Sequence, residues 1–174
     1  TVAIGIGALD AQNFSTATDS NNVAVGNNAG AAVTTGIQNV IVGGLAGDAL
    51  TDADFNTAVG HASLSADTLG SQSTAIGFGT LQSQNFTTST ATYNTAVGVN
   101  AGASVATAIE CTLIGGEAGF SITTGNKNVM VGRAAGDAIT TGNLNVAVGT
   151  DALGANTVGD RNVAVGHQAL LRAN

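Results

Sequence analysis

The 174 residues carry a formal net charge of −7 with only four Lys or Arg, and aromatic residues make up 3% of the chain. So acidic a chain is a poor partner for nucleic acid or an anionic membrane surface, and its apolar runs fall well short of the ~20 residues that span a bilayer. No stretch reads as a signal peptide, and Cys111 is the one cysteine, so no intrachain disulfide is available.

Taken in order, the chain is a succession of one short unit. Thr1-Val2-Ala3-Ile4-Gly5 opens it, and it reads most plainly at Asn145-Val146-Ala147-Val148-Gly149 and Asn162-Val163-Ala164-Val165-Gly166. The closing glycines are Gly5, Gly26, Gly43, Gly60, Gly77, Gly98, Gly115, Gly132, Gly149 and Gly166, spaced 21, 17, 17, 17, 21, 17, 17, 17 and 17 apart. Ten copies fill residues 1–174, which predicts a single repeat domain. The sequence starts inside a motif and without Met, as a piece of a longer fibrous chain would.

Each position of the unit has a physical requirement. The residue before the glycine is always Ile or Val, and the residue three before it always Val or Thr. Stiff β-branched residues at alternate positions favour an extended strand. Between them sits Ala in seven copies and Ile41, Leu113 or Met130 in the rest, so both faces of the strand are apolar. The glycine ends the strand. Four residues past it, five copies carry Leu (Leu9, Leu64, Leu81, Leu153, Leu170) and five carry Gly. Each Gly copy has an aliphatic residue three further on (Val33, Leu50, Val105, Ile122, Ile139), where the Leu copies have Gln12, Asp67, Gln84, Asn156 and Ala173. The two kinds fill one interior volume from different points of the backbone, a swap that a close-packed core tolerates. Asn opens seven copies, and stacked units would align these side chains into a ladder.

A unit of 17 residues is too short for a βαβ crossover, and helical patterning is lacking. The predicted fold is an all-β parallel β-solenoid of ten 17- or 21-residue coils, a rod ~45 Å long. Its core is thin, so the second apolar face of the strand predicts association with other copies. The Ile/Val column, Val148 among it, is assigned to the interior, and the Ala column (Ala24, Ala58, Ala75, Ala96, Ala147, Ala164) to close approach between chains.

A longer period overlies the short one. The two 21-residue coils start 72 residues apart, and their insertions match: Gln12-Asn13-Phe14-Ser15-Thr16 against Gln84-Asn85-Phe86-Thr87-Thr88. A block of four coils has been duplicated and extended by two. Both insertions carry the Asn-x-Ser/Thr glycosylation sequon, at Asn13 and Asn85.

Units of the form Asn-Thr/Val-Ala-Val/Ile-Gly-x-x-Ala-Leu, as at Asn145 to Leu153, resemble the head repeats of trimeric autotransporter adhesins and, more closely, repeats of phage tail fibres and related bacterial surface proteins. The resemblance covers all ten units, although the adhesin head coil is shorter. It implies a left-handed parallel β-roll, a side-by-side homotrimer, and an extracellular place on a virion tail fibre or bacterial cell surface.

Candidate chemistry is sparse. Asp52 and Asp54 form the one close carboxylate pair, in a loop without an aromatic platform, so they lack the facing arrangement of a glycosidase. His61 and His167 lie six coils apart, ~29 Å, too far to share a metal. Asp48 and Asp137 do not match the calcium nonapeptide repeat. Thr57, Thr74, Thr95 and Thr112 form one column, read as hydroxyls at a strand edge reaching backbone rather than as an ice-binding array. No enzyme, cofactor or metal is expected. Surface contact is placed on the insertions, at Asn13, Phe14, Asn85, Phe86 and Tyr93, since four added residues most simply bulge from the rod. The alternative is that each Phe folds back to plug its widened coil. The expected function is a segment of a trimeric fibrous attachment protein that meets a host glycan or protein receptor. A spacer for a binding tip elsewhere, or a polysaccharide-degrading tailspike, are the alternatives.

Overall fold

A computed structural model describes residues 1–172 as a β-solenoid; Ala173 lies outside the described residues. No residue among them is helical. The strands are β1 (Val2–Ile4), β2 (Val23–Val25), β3 (Val40–Val42), β4 (Thr57–Val59), β5 (Gly70–Ser71), β6 (Thr74–Ile76), β7 (Thr90–Ala91), β8 (Thr95–Val97), β9 (Thr112–Ile114), β10 (Val129–Val131), β11 (Val146–Val148) and β12 (Val163–Val165). Ten of them form one parallel sheet, in the order β1-β2-β3-β4-β6-β8-β9-β10-β11-β12. Each motif position pairs with its own equivalent, as in Thr74↔Thr95, Ala75↔Ala96 and Ile76↔Val97. The 17- and 21-residue spacings therefore both close one coil, and the extra four residues are absorbed outside the strand.

The motif glycines set the coil spacing. Their φ values are positive, +133° at Gly60, for example, and a Cβ there would lie 2.3 Å from the carbonyl oxygen of Gly77. Each motif glycine from Gly5 to Gly149 thus packs beneath the next, and no other residue fits there. Four residues on, the chain is left-handed in both kinds of coil, with φ 53° at Leu64 and 59° at Gly30. The Leu copies accept this conformation at a cost of about 1–2 kcal/mol. The Gly copies avoid that strain and bring their apolar volume from the later aliphatic residue. Leu64, Leu81 and Leu153, like Val33, Leu50, Val105, Ile122 and Ile139, are fully buried, and a Cβ at Gly47 would collide with the Leu50 side chain. The two alternatives do fill one interior volume.

The strand faces the other way from the sequence expectation. The Ala column is the interior: Ala24, Ala58, Ala75, Ala96 and Ala147 have no exposed surface. The Ile/Val column looks outward, with Ile76 38% and Val148 36% exposed. Parity explains the inversion, because in a strand residues i and i+2 share a face. The ladder Asn and the Ala are two apart, so the asparagine that must be buried to bond its neighbours takes the Ala with it. Asn39, Asn56 and Asn145 are buried, and Asn56 N–H and Ser73 N–H donate to the Oδ1 of the preceding Asn, each at 2.9 Å. The Nδ2 groups donate across the coil to carbonyls 14 residues on, as Asn39 does to Ala53 at 2.8 Å. Interior width completes the account: a Leu at the left-handed position fills the coil from the opposite wall and leaves room for a methyl group. Ile41, Leu113 and Met130 occur in the Ala column only where the same coil carries Gly at the Leu position.

Candidate functional site

Two surfaces are candidates for function, the insertions and the outward sheet face. The second insertion is held by a buried polar cluster that patterns in the sequence did not disclose. Asp67, fully buried, accepts from Gln84 Nε2 at 2.6 Å through Oδ2, and from the N–H groups of Phe86 at 2.9 Å and Gly70 at 3.1 Å through Oδ1. Gln84 also donates to Ser73 Oγ at 2.8 Å and accepts from Asn94 Nδ2 at 2.8 Å. Ser73 in turn shares a 2.6 Å hydroxyl contact with Thr92. Each buried polar atom in this chain of contacts is thereby satisfied, the condition for placing such groups in a core. The readable signal was the slot seven residues past the glycine, which is polar in four of the five Leu copies. Those polar residues line the interior where Gly copies have an aliphatic side chain.

This cluster fixes the direction of the Phe86 ring. With its N–H on Asp67 and its carbonyl accepting from Leu69 N–H at 3.0 Å and Thr68 Oγ1 at 2.8 Å, Phe86 turns inward and is only 8% exposed. Its neighbours Asn85 and Thr87 are exposed. The burial of Phe86 agrees with the plugging alternative. Phe14 is half-buried in the matching place of the first coil, between exposed Asn13 and Ser15. The duplication extends to fine detail: Thr18 Oγ1 donates to Thr16 O at 3.1 Å, and Thr90 Oγ1 to Thr88 O at 3.0 Å. Asn13 and Asn85 remain outside, as does Tyr93, which is 59% exposed. It has φ 52° and occupies the position just before the motif, which Phe55 and Leu144 hold in other coils.

The other surface is the outward face of the ten-stranded sheet. Its two columns are Val, Ile or Thr throughout, without a charge. Thr57, Thr74, Thr95 and Thr112 lie in the first column, on the face itself rather than at an edge. Threonine hydroxyls that reach backbone lie elsewhere, for example at Thr34, Thr51 and Thr68, as in Thr51 Oγ1 to Thr68 O at 3.1 Å. Beside the face, Ile6, Phe78 and Val99 are exposed just past the glycine, and the exposed His61 stacks on Phe78 with ring centroids 5.6 Å apart.

The carboxylates are used locally. Asp54 Oδ1 accepts from Ile37 N–H at 2.7 Å and Asp52 Oδ1 from Thr35 Oγ1 at 2.6 Å, so each ties its loop to the preceding coil. Burial pushes the carboxyl of Asp137 above the usual carboxylate range, and the nearby charges of Asp151 and Glu117 add to this. Burial likewise raises the Cys111 thiol, whose sulfur donates to Gly125 O at 3.4 Å in place of a ladder Asn. Among the described residues no group of three or more His, Cys, Asp or Glu is placed to hold a metal ion.

Comparison with known protein families, curated proteins and solved structures returns no match to this chain.

Proposed function

We propose that the chain is a segment of a trimeric fibrous attachment protein, of the phage tail-fibre or bacterial surface-adhesin kind, acting outside the cell or on the virion. The observation that carries this reading is the outward sheet face: an uncharged strip of β-branched side chains running the length of a ten-coil rod. An uncharged strip of this kind, with Val or Ile along the whole of its second column, marks a contact surface rather than scattered exposed residues, and the exposed side chains of Ile76, Ile114 and Val148 lie along it. Three rods packed through this face would bury the second apolar side of every strand. The chain-to-chain contact is thus moved from the Ala column to the Val/Ile/Thr columns.

The first test is light scattering of the purified segment, which should give three chains per particle; a folded monomer at micromolar concentration overturns the trimer. The second is binding of the trimer to host-cell surfaces and glycan arrays. Binding supports a receptor-contacting segment. The shaft reading has one specific observation in its favour, the inward ring of Phe86, which takes away an aromatic contact from the insertions. A trimer that binds nothing would select that reading, and product release from a capsule preparation would select a polysaccharide-degrading one.

A further inference from the structure

We infer that Asn13 and Asn85 are acceptor sites for N-linked glycosylation on the folded rod, so that the insertions carry sugar rather than bind it. The inference rests on the local geometry of the insertions and is independent of the trimer. In an Asn-x-Ser/Thr sequon the amide nitrogen and the hydroxyl two residues later must face the same way. An extended backbone provides this when the middle residue points to the opposite side. At the second insertion Phe86 is buried while Asn85 and Thr87 are exposed, and at the first the half-buried Phe14 separates exposed Asn13 and Ser15. The ring anchors the loop, and the anchoring turns the acceptor pair outward.

Side-chain bonding separates these two asparagines from the ladder. Asn22, Asn39 and Asn94 donate their Nδ2 groups to buried carbonyls. Asn85 accepts from Thr68 Oγ1 at 3.3 Å through Oδ1, and its backbone N–H bonds Ala106 O at 2.9 Å; Asn13 N–H bonds Thr34 O at 3.0 Å. These contacts hold the backbone and leave both Nδ2 groups without a partner among the described residues. The ladder asparagines are also excluded by sequence, since Asn56 and Asn94 are followed two residues later by Ala58 and Ala96. The reaction needs an activated glycosyl phosphate donor and a glycosyltransferase: Asn Nδ2 bonds the anomeric carbon, the bond from that carbon to the phosphate oxygen breaks, and the amide loses one proton.

The test uses the folded, purified chain, a soluble asparagine glycosyltransferase and UDP-glucose, read by intact mass and peptide mapping. The expected result is one hexose on each of Asn13 and Asn85, one site lost in Asn13→Gln, the other in Asn85→Gln or Thr87→Ala, and an unchanged melting temperature after transfer. Transfer only to the urea-denatured chain, transfer to neither form, or hexose on folded chain accompanied by loss of β structure would each overturn the inference.

Discussion

Replacing neighbouring residues Ala75 and Ile76 with aspartate separates the two possible faces of the strand. Ala75 has no exposed surface, pairs in register with Ala58 and Ala96, and faces a coil already filled by Leu81. A carboxylate there has no cation and no spare donor, and an uncompensated buried charge costs about 3–5 kcal/mol. For a chain of this size each kcal/mol lowers the melting temperature by ~2–4 °C, so Ala75→Asp should lower it by roughly 6–20 °C. Because coils are stabilised by their neighbours, the loss should begin as fraying around β6 rather than as uniform weakening. Ile76→Asp changes an outward side chain, and within one rod its cost should stay within about 0.5–1 kcal/mol. Its effect belongs to association, where aspartates brought together on the uncharged face repel one another. Circular dichroism melts with parallel light scattering give the readout: Ala75→Asp loses β structure early, and Ile76→Asp keeps it while shifting the particle toward single chains. Loss of β structure in Ile76→Asp with a native melt for Ala75→Asp would refute the assignment of the Ala column to the interior.

Three further outcomes follow from particular contacts. Asp67→Ala strips the partner from the N–H groups of Phe86 and Gly70 and one of two acceptors from Gln84 Nε2, each buried group left unpaired costing about 1–3 kcal/mol; hydrogen exchange should show the second insertion opening while β10 to β12 keep their protection. Phe86→Ser should lower the melting temperature by an amount equivalent to ~3 kcal/mol, and more than Phe14→Ser, whose ring is only half-buried; equal and negligible effects would mean that the rings are not packed. Asp137 has a folded pKa above its ordinary 3.8, chiefly through burial. The folded state therefore holds this proton more tightly, and stability is lost as pH rises from near 3.8 through the folded value. Asp137→Asn should accordingly raise the melting temperature slightly at pH 7, and the difference should vanish well below pH 3.8; a stabilisation that persists in acid would assign the effect to something other than charge.

The coil is the part of this protein that sequence alone determined. A glycine every 17 or 21 residues, preceded by alternate β-branched positions, fixes the turn and the strand, and with them the parallel register in which each motif residue meets its equivalent. The Asn ladder and the exchange of Leu64-type for Leu50-type filling were legible for the same reason, since each recurs with the period. Which face of the strand looks inward was not legible from apolar character, because Ala and Val/Ile are both apolar. It is decided by interior width and by the parity that binds each Ala to a buried Asn. The direction of Phe86 was likewise a tertiary decision. Its local sequence, a ring among hydroxyls on an inserted loop, suits exposure, and it is the carboxylate of Asp67, contributed by the preceding coil 19 residues back, that captures its backbone where the ring is buried.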